Sequence, residues 1–154
     1  TTRSTLFNIQ PTHTREHLMK AVYEGIGYNL RWILENYEKD YKLHCRQFRI
    51  IGGGALDDAW MQIIADITKS EFAIVDNPRM AGALGAAIIA LVGLGELKGF
   101  GEVKRFVKEA KSYKPNPTNA YIYDELFNDY KRIYKSLKRT YKKANSKRFE
   151  GEQL

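Results

Sequence analysis

An apolar run, Phe48, Ile50 and Ile51, stops against three consecutive glycines, Gly52-Gly53-Gly54, and a helical pattern begins at once. Trp60, Ile63, Ile64 and Ile67 fall on one face at i, i+3, i+4 and i+7. The run predicts a short buried strand, and the glycines predict a turn whose backbone a ligand can approach closely. Strand, bare turn and helix N-terminus together make a place for an anion or a nucleotide. A helix dipole adds only ~0.3–1 kcal/mol per exposed anionic group, enough to position a phosphate but not to hold a nucleotide alone. The same turn also serves a plainer purpose, close packing of helix on strand. Two sharper templates fail: a Rossmann fingerprint needs a glycine where Asp57 stands, and no Gly-Lys-Ser/Thr of a Walker loop occurs.

The 154 residues are the length of one domain, 1–154, with an ordered core expected over about 4–140 and a frayed basic tail over 141–154. The chain begins at Thr1 without a methionine, which suggests a fragment, a processed product or a trimmed chain. Cys45 is the single cysteine, so no disulfide can form within the chain, consistent with a reducing, cytoplasmic setting. No signal peptide is visible, and the longest greasy run, Met80 to Leu94, is too short for a membrane span and reads as a buried helix.

The net charge of +7 invites a nucleic-acid reading, but its distribution opposes it. Nine cations (Lys131, Arg132, Lys135, Lys138, Arg139, Lys142, Lys143, Lys147 and Arg148) lie together with no acidic residue among them, and +7 less these nine leaves −2 elsewhere. Basicity confined to one helix reads as a solvated face, with a polyanion contact as the alternative.

Thr14 is the expected N-cap of a long helix reaching about Tyr37, with Leu18, Val22, Ile26, Leu30, Ile33, Leu34 and Tyr37 on one apolar stripe. Gly25 and Gly27 inside it suggest close approach by another backbone. Phe72 to Val75 predicts a second strand, and Asn77 with Pro78 the cap and first position of a helix with small residues (Ala81, Gly82, Gly85, Ala86) on one face. A short helix is expected over about 102–111, then a break at Pro115-Asn116-Pro117. From near Thr118 a last helix should bury Leu126, Tyr130, Ile133, Leu137 and Tyr141, with Tyr123, Phe127 and Tyr134 beside them. Only two strands are evident, a thin sheet for an α/β domain, which suggests missing structure upstream.

His13-Thr14-Arg15-Glu16-His17 matches H-x-x-E-H, but His13 precedes the helix cap and no third ligand is indicated, so the pair reads as helix-start residues and no metal is assigned. Cys45 beside His44 is not a convincing nucleophile pair. Asp57 and Asp58 open a helix, where capping is the plain role; contact with ribose hydroxyls or a metal is the functional one.

Taken together, the motifs resemble the C-terminal lobe of the FGGY carbohydrate kinases. His17-Leu18-Met19-Lys20-Ala21-Val22-Tyr23-Glu24-Gly25 matches the core of that family's second signature, with Ser4, Leu6 and Ile9 fitting upstream and Asn8 departing from the expected glycine. Gly52 to Ala55 match the adenosine-binding loop, followed by Trp60, Gln62, Ala65 and Asp66. Asn77-Pro78, Ala83-Leu84-Gly85-Ala86-Ala87, and then Tyr113, Pro115, Tyr123, Tyr130 and Tyr134 are similar to the rest, so the likeness spans about residues 4 to 140.

The resemblance implies part of a ribonuclease-H-like, actin-like ATPase fold, the helix-rich C-terminal lobe with a small sheet. It implies ATP or ADP with Mg2+ as cofactor and a sugar hydroxyl as phosphoryl acceptor. Xylulose is the first expectation for that sugar, with gluconate, ribulose, fuculose or glycerol as alternatives. Gly52, Gly53, Gly54 and Ala55 would face the nucleotide, with Asp58 a weaker neighbour. The aspartate base and the sugar site are expected in an N-terminal lobe that this chain lacks, leaving it inactive alone. The face that would meet that lobe could also drive self-association into a homodimer. A non-catalytic module of the same fold, binding nucleotide or a partner, remains a second reading.

Overall fold

In a computed structural model, the described residues are 2–149. Helix α1 (Arg15–Tyr41) is followed by strand β1 (Gln47–Ile50), helix α2 (Asp58–Thr68), strand β2 (Glu71–Val75), helix α3 (Ala81–Gly93), strand β3 (Glu109–Tyr113) and helix α4 (Ala120–Phe149). The sheet order is β1-β2-β3; β1 runs parallel to β2, with Phe48 opposite Phe72 and Ile50 opposite Ile74, and β3 runs antiparallel, with Tyr113 opposite Phe72.

Central position makes β2 buried on both faces, Phe72, Ala73, Ile74 and Val75 alike, as its unbroken apolar run requires. Helix α2 is the keystone. One side, through Met61, Ile64 and Ala65, packs with Ala55 on Phe72, Ile74 and Tyr113 of the sheet. The other side sends Ile67 into Tyr28 of α1 and into Tyr123 and Phe127 of α4. A methyl on Gly27 would stand 2.8 Å from Ile67 Cδ1, so that glycine admits a side chain of α2 rather than another backbone; Gly25 has open space around it. Buried Asp66 ties α2 to the approach of α4, accepting from Gln62 Nε2 at 2.8 Å, Asn116 N at 2.8 Å and Asn119 Nδ2 at 2.7 Å.

Several expectations are corrected. The segment 102–111 holds no α-helix: a 3-10 turn (Phe100–Arg105) leads into β3, a third strand. Its outer residues are exposed and only Tyr113 is buried, so β3 carries no apolar run and owes its strand form to the backbone of β2. The apolar helix α3 is mostly exposed, Ile88 being its buried residue. Of the stripe assigned to α1, Val22, Ile26, Ile33 and Tyr37 are exposed, Leu18, Leu30 and Leu34 are half-buried with Leu30 packed against the sheet core, and Gly27 and Tyr28 face the core. On α4, Tyr123 and Phe127 are buried and Leu126 is exposed, a rotation of the expected stripe. Asn77 does not cap through its side chain; it adopts a left-handed conformation (φ 50°) before a 3-10 turn, Pro78–Met80. The tail expected from residue 141 is helical through Phe149, and residues 150–154 lie outside those described.

Candidate functional site

At the end of β1 the chain turns through Gly52, whose φ of +98° only glycine adopts without strain. Its N–H donates to Pro78 O at 2.8 Å, pinning the turn to the segment that leaves β2. Gly53–Leu56 then form a 3-10 turn closed by Ala55 N to Gly52 O (3.3 Å) and Asp57 N to Gly54 O (3.2 Å). The N–H groups of exposed Gly53 and Gly54 find no acceptor among the described residues. Ala55 is 2 % exposed and belongs to the core beneath, so its side chain does not face the turn's open side.

The start of α2 is already occupied. Asp57 Oδ1 accepts from Trp60 N at 3.0 Å and Oδ2 from the Tyr23 hydroxyl at 2.7 Å, while the Tyr23 and Trp60 rings stack at 5.3 Å. The Trp60 amide first, and then the Tyr23 hydroxyl, hold the Asp57 carboxyl below its ordinary range; Asp57 in turn pushes Tyr23 up. Asp58 receives Lys111 Nζ at 2.6 Å and the Tyr113 hydroxyl, and Lys111 followed by Tyr113 keeps its carboxylate below the usual range. Both acids are therefore held by the chain's own donors. Asp57 serves as the N-cap, and the free N–H donors belong to the 3-10 turn rather than to the α2 terminus.

The sequence did not indicate three neighbours of this turn, since each arrives by tertiary contact: the Pro78 carbonyl, the Lys111–Tyr113 pair from β3, and Arg79. The Arg79 Nε lies 3.8 Å from where a Gly53 methyl would be.

Other candidates resolve into structural roles. Thr14 N donates to His17 Nδ1 at 3.1 Å and Gln10 N to His13 Nδ1 at 3.1 Å, as befits a helix start. No group of three or more His, Cys, Asp or Glu gathers to hold a metal ion among the described residues. Cys45 is exposed, with its thiol directed to Gln47 O at 3.7 Å. No helix among the described residues is long and apolar enough to cross a membrane. The basic face of α4 lies elsewhere, and Lys135, Lys138, Arg139 and Lys142 are exposed on it.

Residues 1–94 match the sequence model of the FGGY family of carbohydrate kinases, C-terminal domain. The chain is 33% identical over 137 residues to the xylulose kinase of Bacillus subtilis, covering 88% of this chain and 27% of that protein. It superimposes on ligand-bound xylulose kinase from Lactobacillus acidophilus with a TM-score of 0.81 at 27% identity, covering 92% of this chain and 29% of that one. Gluconate kinase from the same organism gives a TM-score of 0.73 at 26% identity, over 88% of this chain and 27% of that one. The chain thus spans little more than a quarter of the length of its relatives, and its helix-rich fold with a three-strand sheet is that of part of an actin-like ATPase fold. On sequence and fold together, this chain belongs to the FGGY family of carbohydrate kinases, where it corresponds to the C-terminal domain.

Proposed function

We propose that the chain supplies the nucleotide end of an ATP-dependent sugar kinase, with the glycine turn facing adenosine and the adjoining phosphates. One observation carries the reading: Gly53 and Gly54 present unpaired N–H groups on an exposed, side-chain-free turn beside a cation. Magnesium-bound ATP, when present, supplies the phosphoryl group. In this reading the chain's own part is to hold that nucleotide still, because phosphoryl transfer is mostly positioning and charge stabilisation. Asp58 is charge-paired with Lys111, whereas Asp57, held by the neutral Trp60 amide and Tyr23 hydroxyl, keeps its negative charge as the α2 cap. The carboxylate that takes the sugar's proton, the sugar site and the magnesium ligands are assigned to the N-terminal lobe of a protein of the relatives' length. Xylulose is the sugar proposed first, from the similarity to xylulose kinases.

Two surfaces support docking of such a lobe. β1 forms the edge of the described sheet, with one side of its backbone free, and α1 presents Met19, Val22, Ile26 and Ile33, each about half exposed, along one side. The test is a calorimetric titration with ADP of the wild type and of Gly53→Val. Saturable binding that the valine abolishes, with folding intact, is expected. Binding that Gly53→Val leaves unchanged overturns the placement.

A further inference from the structure

The fold accounts for two of the three glycines. Gly52 is required by its positive φ. Gly54 is required by Trp60, whose ring would overlap any side chain there. Gly53 has neither reason. Its φ lies outside the left-handed region, and a methyl would meet only Arg79 Nε at 3.8 Å, an ordinary contact. The backbone is thus bare at a point where the fold would accept alanine.

The arginine over that point is equally unaccounted for. Arg79 is exposed, follows Pro78 in the turn that pins Gly52, and has no hydrogen bond or ion pair among the described residues. The acids flanking the glycine turn are engaged elsewhere, Asp57 by Tyr23 and the α2 amides, Asp58 by Lys111 and Tyr113. Asp76, three residues before Arg79, forms no pair with it either. A guanidinium without a partner thus stands over Gly53, on a turn whose Gly53 and Gly54 N–H groups have no acceptor among the described residues.

We propose that Arg79 is the phosphate-binding cation of the glycine turn, a proposal that rests on reading the turn as the nucleotide loop. Its guanidinium, together with the Gly53 and Gly54 N–H groups, would receive a phosphate oxygen of a nucleoside di- or triphosphate. A guanidinium gives forked, charge-assisted hydrogen bonds, which a short 3-10 turn lacks. Adenosine carries no phosphate, so its binding should not depend on this residue. The contribution is solvent-exposed and should weaken as salt is raised.

The test compares ADP with adenosine by calorimetry on the whole chain, using wild type, Arg79→Gln, Arg79→Lys and Gly53→Val, with thermal melts confirming that each variant folds. Arg79→Gln should weaken ADP about tenfold, the loss expected of one charge-assisted contact, and leave adenosine unchanged. Arg79→Lys should restore part of that loss, since an ammonium keeps the charge without the fork. ADP binding equal to wild type in Arg79→Gln, while Gly53→Val loses it, would refute the role of Arg79 and leave the nucleotide turn standing. Equal losses of ADP and adenosine in Arg79→Gln would also refute a phosphate-specific role. Absence of binding by the wild type, or indifference to Gly53→Val, would overturn the turn itself and the arginine with it.

Discussion

Adding one methyl to Gly54, and separately to Gly53, should have opposite consequences although the residues are adjacent. At Gly54 the new carbon would press into the Trp60 ring, with Cε3 and Cη2 at 3.2 Å and Cζ3 nearer still. The indole cannot swing aside freely, because it stacks on Tyr23, whose hydroxyl is held by the Asp57 cap. Overpacking of this kind costs about 1–3 kcal/mol. At Gly53 the methyl meets Arg79 at 3.8 Å and needs no special backbone angle. There the loss of unfolded-state freedom should stabilise by ~0.4–1 kcal/mol. The two variants should therefore differ by roughly 1.4–4 kcal/mol. Urea unfolding followed by tryptophan fluorescence measures this as a shift in midpoint at constant slope. In a thermal melt it corresponds to several degrees, at roughly 2–4 °C per kcal/mol for a chain this long. Coincident curves for the two variants would refute the assignment of Gly54 to packing and of Gly53 to open surface.

Asp66→Ala should destabilise the chain by about 2–3 kcal/mol, because the Asn116 N–H and the Asn119 amide lose their acceptor while Gln62 keeps only the Lys114 carbonyl; chemical denaturation would show it, and Asp66→Asn should recover only part. The acid limb of stability should report Asp57 and Asp58. Both carboxyls lie lower in the folded chain than their ordinary 3.8, so their stabilisation is present above that pH and disappears as pH falls through the folded values. Melting temperatures between pH 6 and 2 should fall less steeply in Asp57→Asn and Asp58→Asn than in wild type. If α4 instead bound a polyanion, heparin affinity would drop steeply with salt and vanish when Lys135, Lys138, Arg139 and Lys142 are neutralised, with nucleotide binding untouched.

The strand–glycine–helix unit was readable because its signals are local: an apolar run, residues that bare the backbone, and 3.6-residue spacing at Trp60, Ile63, Ile64 and Ile67. The family likeness was readable for the same reason, as motifs at fixed spacing from His17 to Ala87. β3 was not readable. Its Glu109-Ala110-Lys111-Ser112 are exposed, and a strand on the outside of a sheet takes its form from a partner's backbone rather than from its own side chains. α3 was found as a helix but misplaced as buried. A stretch apolar nearly all round fixes the helix without saying which side is covered. At the site, sequence supplied the glycines but could not divide them. Only tertiary contacts show that Gly54 yields to Trp60 and that Arg79 comes to rest over Gly53.

The central claim is that the glycine turn is where nucleotide meets this chain. The most direct measurement is a titration with ADP that follows the backbone amide resonances of Gly52, Gly53 and Gly54 and the Nε–H resonance of Arg79. Saturable shifts centred on Gly53, Gly54 and Arg79, smaller at Gly52 because its N–H is already given to Pro78, are predicted. Shifts confined to Lys135, Lys138, Arg139 and Lys142 on α4, with the glycine turn silent, would contradict it.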